Sequence, residues 1–382
     1  MHTTPIELPL LATLLLGALA ALCLVKLFSR QAASERWRRL SERVVLAPIA
    51  ILSVVLSLAS IANALTHRYY AAHFTPPGRL YTVDGSTFHL QCTGEGSPTI
   101  ILEAGLGSGA LSWGMVQPEL SGVTRVCAYD RAGLGWSSPR SDVRDAAHVE
   151  SELTALLGKA GIEGPLVLVG HSLGGLYARL YASRHPDSVA GLVLIDSATP
   201  TDDDVDSSAL KTYLSHRESN AAFEKLLAQA VFILGIPRLT GSCSEVPKGF
   251  PATTGRMRAE DLCDPNLSVV FEESAALSAS RAQVASAFLN RNLPVLIISQ
   301  DTAFSAPLEV PPILTEDWAR NWDRRQESLK SLSTLSRRVV AKGSEHFIPL
   351  DRPDVVAKEV DALIQYLHGK ESTPPWGSTT TD

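Results

Sequence analysis

The 382-residue chain is 45% hydrophobic and 19% charged, a balance that provides apolar surface for a sizeable core and excludes wholesale disorder. Its net charge of −6, with no long basic run beyond the first fifth, argues against a nucleic-acid partner. The charge is divided unevenly: residues 1–68 hold seven Lys/Arg against three Asp/Glu, and the acidic excess lies in the remainder.

The chain opens with an 18-residue apolar stretch from Leu8 to Val25, and a second of 22 residues, from Val44 to Leu65, is broken only by Ser, Asn and Pro48. At about 1.5 Å per residue, each can cross a hydrocarbon core of roughly 30 Å. Residues 1–70 are therefore expected to be an integral membrane anchor with two transmembrane helices, at about 8–28 and 44–65. A cleaved signal peptide would want a positively charged start, and here Glu7 precedes the first stretch with no Lys or Arg. Between the stretches lie Arg30, Arg36, Arg38, Arg39 and Arg43. Short Arg-rich loops stay cytoplasmic, which predicts a multi-pass protein with everything after His67 on the extracytoplasmic side. Pro48 is tolerable in a membrane helix when neighbouring groups satisfy the freed carbonyl.

Of five cysteines, Cys23 sits in the first apolar stretch, leaving Cys92, Cys127, Cys243 and Cys263. In an oxidising compartment this even set can form two disulfides, Cys92 with Cys127 and Cys243 with Cys263 being the favoured pairing of three; four free buried thiols is the alternative. No Cys/His spacing of the metal-binding type is present, so no metal is expected.

After the linker Thr75-Pro76-Pro77-Gly78-Arg79, strand-like and helix-like segments alternate, the pattern of a mostly parallel sheet covered by helices on both faces, in one α/β domain over about 79–370. Buried strands are expected at Thr99–Leu102, Thr124–Tyr129, Leu166–Val169, Gly191–Ile195, Val295–Ser299 and Arg338–Ala341, with Ser86–Cys92 nearer an edge. Residues 198–293 lack a clear strand and read as a helical insertion over the sheet. Residues 371–382 read as a disordered tail.

Gly170-His171-Ser172-Leu173-Gly174 is a Gly-x-Ser-x-Gly motif, weak alone but here set between the apolar strand Leu166–Val169 and a helix-like run starting at Leu173. A sharp strand-to-helix turn needs glycine on both sides of a serine held exposed and strained. A serine hydroxyl requires a base that takes its proton and returns it to the leaving group. His346 is the preferred base, because it follows the short strand Arg338–Ala341 and the loop Lys342–Glu345 at the sheet's C-terminal edge. The orienting carboxylate is expected to be Asp301, after the strand Val295–Ser299, with Asp196 at the end of Gly191–Ile195 as the alternative. The oxyanion donors are expected to be the backbone N–H groups of Leu173 and of Leu106 in the loop Gly105-Leu106-Gly107-Ser108-Gly109. That loop is no phosphate-binding P-loop, because the following Gly-Lys-Ser/Thr is missing.

Four segments, Leu102-Glu103-Ala104-Gly105-Leu106-Gly107, Tyr129-Asp130-Arg131-Ala132-Gly133-Leu134-Gly135-Trp136-Ser137, Gly170–Gly175 and Gly343-Ser344-Glu345-His346, together resemble the α/β-hydrolase superfamily over about residues 79–368. The resemblance implies an α/β-hydrolase fold, with an eight-stranded sheet, a helical lid after the strand ending near Asp196, and a Ser/Asp/His triad. Two departures stand out: the usual His-Gly at the oxyanion strand end is Ala104-Gly105, and the family's common acid position falls near Ala303. The expected function is a membrane-anchored serine hydrolase of the esterase or lipase kind, acting without a cofactor on a small-molecule or lipid ester through an acyl-enzyme on Ser172. The reading from a different class is a catalytically silent binding module on the same fold.

Overall fold

The computed structural model describes residues 7–28, 36–200, 207–241, 243, 246, 248–263, 265–303 and 310–369. The tail expected to be disordered, 371–382, lies outside them, as do residues 29–35 of the basic loop.

Two helices lead the chain, α1 (Glu7–Phe28) and α2 (Arg36–His73), and they pack against each other. Within α2, Val44–Tyr70 is the one stretch among the described residues that is long and apolar enough to cross a membrane; Leu14–Cys23 in α1 forms a shorter apolar helix. The pair is built inside out by the standards of a water-soluble core. On α2 the buried positions are Ala50, Ser53, Ser57, Ser60, Asn63 and His67, at three- and four-residue spacing, while Ile51, Leu52, Val55, Leu58 and Leu65 are exposed. On α1, Ala20 and Cys23 face inward and Leu14, Leu15 and Leu22 outward. Ser57 satisfies its hydroxyl within the helix, donating to the Ser53 carbonyl at 2.8 Å. Small and polar residues inside with leucine and valine outside is the arrangement favoured where the surroundings are themselves apolar.

The remainder is built on an eight-stranded sheet: β1 (Arg79–Val83), β2 (Ser86–Thr93), β3 (Thr99–Glu103), β4 (Val126–Tyr129), β5 (Leu166–His171), β6 (Val189–Ile195), β7 (Val295–Gln300) and β8 (Ser336–Ala341). Their spatial order is β1-β2-β4-β3-β5-β6-β7-β8. From β4 to β8 neighbouring strands run parallel, and β2 is antiparallel to both β1 and β4. Strands β3, β4, β5 and β7 are buried along their whole length, which is why they read as unbroken apolar runs rather than alternating ones. Period two still sorts their side chains. Ile101, Leu168, Leu192 and Ile297 fill one face of the sheet, whereas Ile100, Val167, Val169, Val193 and Ile298 fill the other. The seven strands expected from the sequence are present within a few residues of their expected bounds.

The eighth, β1, was not expected, because its mixed residues sit half-exposed at the sheet's edge. Its signal is the Asp84-Gly85 dipeptide joining β1 to β2. Both residues have positive φ, 47° and 77°, the conformation a two-residue hairpin demands.

Helices cover both faces: α3 (Val116–Leu120), α4 (Ala146–Ala160) and α5 (Leu173–Arg184) come from the first half of the sheet. Helix α4 begins where Asp145 accepts the His148 N–H at 3.0 Å and stops at Gly161 in the left-handed conformation, standard punctuation at both ends. Its Leu153, Leu156 and Leu157 pack on the first face. Among the described residues the segment after β6 contains α6 (Ser208–Ile233), α7 (Ile236–Thr240), α8 (Ala252–Cys263), α9 (Leu267–Ala275) and α10 (Leu277–Ala285). Then follow α11 (Thr315–Ser328), α12 (Ile348–Asp351) and α13 (Pro353–Leu367). Val356, Val360, Leu363 and Ile364 of α13 close the second face; burying each such side chain stabilises the fold by roughly 1.5–3 kcal/mol. Disulfides join Cys92 of β2 to Cys127 of β4, and Cys243 to Cys263 in the insertion.

Candidate active site

Strand β5 ends at His171 and α5 starts at Leu173, so Ser172 alone makes the turn, with φ 54° and ψ −120°. A non-glycine residue held there costs of order 1–3 kcal/mol, and three backbone hydrogen bonds hold it. Its N–H donates to the Ile195 carbonyl at 3.0 Å, and its carbonyl accepts from Gly175 at 3.0 Å and Ala198 at 2.9 Å. The flanking glycines are sterically required: a Cβ on Gly170 would lie 2.5 Å from the Gly174 carbonyl oxygen, and one on Gly174 would lie 2.4 Å from that of Glu103.

His346 follows β8 and reaches back across the sheet edge to Ser172. The Ser172 hydroxyl donates to its Nε2 at 2.9 Å, and its Nδ1–H donates to Asp196 Oδ2 at 2.6 Å. The carboxylate that faces His346 is therefore that of Asp196, the alternative, and not that of Asp301. Asp196 ends β6, the immediate neighbour of β5, and presents Oδ2 to the imidazole, whereas Asp301, after β7, turns its carboxylate to the loop that precedes His346. Asp301 instead supports the histidine loop: its Oδ2 accepts from the Gly343 N–H at 3.1 Å, and its own N–H donates to the Ser344 carbonyl at 3.3 Å.

Asp196 is fully buried with φ 41°. Its second oxygen, Oδ1, accepts from the Gln300 N–H at 3.0 Å and from Trp322 Nε1–H on α11 at 2.9 Å. A buried carboxylate is tolerated when its lone pairs are met in this way. His171 adds a further constraint by donating from Nε2 to the His346 carbonyl at 2.9 Å. Burial, and then the neighbouring His346, push the His171 imidazole down to about 3, so it is neutral here. The Trp322 and Phe347 rings stand edge-on to His346, with centroids 5.9 and 5.6 Å away.

Of the expected oxyanion donors, Leu173 opens α5, whose first-turn N–H groups have no partner inside the helix. Leu106 lies in the loop after β3, and that loop touches the nucleophile: a Cβ on Gly105 would come within 3.2 Å of Ser172 Cβ. Arg131 fixes the loop from behind. Its guanidinium donates to the Ala104 and Gly105 carbonyls, both at 2.8 Å, to Glu103 Oε1 at 2.7 Å, and to both oxygens of Glu273 at 2.6 and 2.9 Å. Glu273, on α9 of the insertion, also accepts from the Gly107 N–H at 2.9 Å, and Tyr129 donates its hydroxyl to Glu103. Burial pushes the Glu103 carboxyl above its ordinary range against the pull of Arg131. The loop is thus clamped between a buried arginine and a carboxylate supplied by the lid.

Of the residues that sequence reasoning grouped, the structure hydrogen-bonds Ser172 to His346, sets Leu173 directly after Ser172, and carries Leu106 in the loop whose Gly105 adjoins Ser172. It missed Trp322, the supporting role of His171, and the Glu103–Arg131–Glu273 clamp. For the clamp a signal existed, since Glu103 ends the buried strand β3 and Arg131 lies two residues beyond the buried strand β4. For Trp322 and Glu273 none did, because their roles depend on helices whose positions are not written in local sequence. Among the described residues no group of three or more His, Cys, Asp or Glu could hold a metal ion.

Residues 98–353 match the model of the alpha/beta hydrolase fold family. An uncharacterized protein of Schizosaccharomyces pombe is 27% identical over 369 residues, covering 86% of this chain, which spans 63% of that protein's length. An uncharacterized vacuolar membrane protein of Saccharomyces cerevisiae is 31% identical over 147 residues, 34% of this chain and 22% of its own. Among solved structures, an epoxide hydrolase superposes with TM-score 0.55 at 16% identity, over 76% of this chain and 98% of its own. A putative lipase of Acinetobacter baumannii superposes with TM-score 0.53 at 20% identity, over 80% and 95% respectively. At such identities these neighbours share the fold.

Proposed function

Because this chain belongs to the alpha/beta hydrolase family, we infer that it is a serine hydrolase that cleaves carboxylic esters through an acyl-enzyme on Ser172. The observation that carries this reading is the unbroken relay from Ser172 Oγ through His346 to Asp196, at 2.9 and 2.6 Å. In the first half-reaction Ser172 Oγ attacks the ester carbonyl carbon while His346 Nε2 takes its proton. Asp196 holds the imidazole in the tautomer that accepts at Nε2 and stabilises the imidazolium that forms. The tetrahedral oxyanion is met by the Leu173 and Leu106 N–H groups, beside the positive end of α5. The intermediate collapses, the C–O bond to the alcohol breaks, and His346 returns the proton to the leaving oxygen. In the second half-reaction water attacks the acyl carbon while His346 takes its proton; the bond from the acyl carbon to Ser172 Oγ then breaks, His346 returns the proton to Oγ, and the acid leaves.

A serine at the turn disfavours the epoxide and haloalkane chemistry that uses an aspartate nucleophile. The relay also counts against a silent binding module, which has no use for a strained serine hydrogen-bonded to an oriented base. The apolar outer faces of α1 and α2 support anchoring by two membrane spans, with the disulfides favouring an oxidising, extracytoplasmic side for the catalytic domain. The test is hydrolysis of p-nitrophenyl acetate by the full chain in detergent. Ser172→Ala should reduce the rate to background; a variant as fast as wild type would overturn the reading.

A further inference from the structure

The helical insertion does not merely cover the sheet; it leans on the membrane anchor. Asn63, buried on α2, donates from Nδ2 to the Phe232 carbonyl at the end of α6 at 3.1 Å and accepts from Arg238 Nε on α7 at 2.9 Å. Arg238 in turn pairs with Glu260 on α8 at 2.8 Å. The turn between α6 and α7 comes so close to α2 that a Cβ on Gly235 would lie 2.8 Å from Asn63 Cβ. Helix α1 touches α6 as well.

Asn63 sits inside the apolar stretch Val44–Tyr70, seven residues and so roughly 10 Å short of its end. With Val44–Tyr70 spanning a bilayer, as in the anchored reading, whatever is hydrogen-bonded to Asn63 lies near the level where acyl chains meet headgroups. The insertion presents a suitable surface there. From Leu226 to Leu239 the only charge is Arg238, whose Nε and Nη1 are directed to Asn63 and Glu260, and the only buried residue is Gly235. Leu226, Leu227 and Leu239 are 64%, 54% and 62% exposed, and α2, which α7 touches, has exposed leucines and valines of its own.

We propose that the α6–α7 segment is immersed in the membrane leaflet beside α2, and that Ser172 acts on acyl esters of membrane lipids that reach the lid laterally from that leaflet. An apolar helix end lying in the interface is held by buried apolar area, and the Asn63 hydrogen bonds fix its depth. The same insertion supplies Glu273 to the oxyanion loop, so lipid contact at one end and the reacting site at the other belong to one helical unit. The chemistry is that of the serine-hydrolase reading, on which this inference rests; what it adds is the substrate class and its route.

The experiment uses the full chain reconstituted in phosphatidylcholine vesicles and compares wild type with Leu226→Ser/Leu227→Ser/Leu239→Ser, three exposed positions outside the catalytic machinery. With 4-methylumbelliferyl oleate dissolved in the bilayer, the triple variant should lose about tenfold in rate, because the serines weaken the segment's partition into the leaflet. With p-nitrophenyl acetate in the water phase the two should be equally fast. A separate arm needs no turnover: Leu227→Cys in a Cys23→Ala background, labelled with an environment-sensitive fluorophore, should emit as in lipid. Equal oleate rates, water-like emission, or a dimer in detergent that the triple variant abolishes would each overturn the proposal, the last by giving the patch to a second copy. In these cases acetate hydrolysis by wild type leaves the serine-hydrolase reading standing. Wild-type inactivity on both esters overturns the two together.

Discussion

The Trp322 indole donates its N–H to Asp196 Oδ1 at 2.9 Å, leaving Oδ2 for His346. A side chain from α11, 150 residues after the β5 turn, thereby fixes which carboxylate oxygen faces His346. Removing that donor leaves a buried oxygen with one partner fewer, so Trp322→Phe should lower kcat on p-nitrophenyl acetate by about tenfold, at a cost near one charge-assisted hydrogen bond. KM should stay near its wild-type value.

The two candidate acids separate cleanly. Asp196→Asn should lower kcat by about 10³–10⁴-fold, the penalty of presenting the wrong imidazole tautomer. Asp301→Asn removes only an acceptor for the Gly343 N–H and should stay within about tenfold of wild type. Steady-state rates of the two variants, each with circular dichroism to verify folding, decide the assignment.

The clamp behind the oxyanion loop predicts a different signature. Glu273→Gln keeps the size of the side chain but removes the charge facing Arg131 and weakens the hold on the Gly107 N–H. Losing an oxyanion donor outright costs about 10²–10³-fold; loosening the loop that presents one should cost about 10–100-fold in kcat. Arg131→Met should do more than slow the reaction, because it strands two buried carboxylates, a loss of about 3–5 kcal/mol in stability. Thermal unfolding distinguishes the two effects.

His171 makes stability depend on acid. In the unfolded chain its imidazole binds a proton near 6.5, while in the fold burial and the neighbouring His346 hold it down to about 3. Between those values the unfolded state carries the extra proton, so the His171 contribution is intact above pH 6.5 and is lost progressively as pH falls toward 3. At pH about 4.5 the deficit is on the order of 2 kcal/mol. His171→Asn should flatten this acid limb relative to wild type in melting curves taken across that range, with no change in slope above pH about 7.

The cross-strand disulfide predicts a stability effect without a catalytic one. Cys92 and Cys127 close a loop of 35 residues between β2 and β4, which corresponds to about 4 kcal/mol of unfolded-state restriction. A Cys92→Ala/Cys127→Ala variant should melt earlier in chemical denaturation yet retain wild-type kcat at 25 °C.

Much of this was readable from the chain, and the boundary has a physical origin. Strands such as Leu166–His171 announce themselves because burial on both faces leaves no room for polar residues, and the Ser172 turn does so because glycine is compulsory around it. The acid was ambiguous because both Asp196 and Asp301 end apolar strands, and which carboxylate faces His346 depends on how the loops after β6 and β7 are placed in space. Strand β1 was missed because an edge strand has no obligatory pattern. Glu273 and Trp322 reach the site from helices α9 and α11, and no local rule in the sequence fixes where those helices lie.

The most direct measurement of the central claim is the site and rate of covalent labelling by a fluorophosphonate probe on the purified full chain, mapped by peptide mass spectrometry. The account predicts one adduct, on Ser172, formed rapidly by wild type and by Asp301→Asn, and lost or slowed by orders of magnitude in His346→Ala and Asp196→Asn. An adduct elsewhere, no adduct on the wild type, or labelling of Asp196→Asn at the wild-type rate would contradict it.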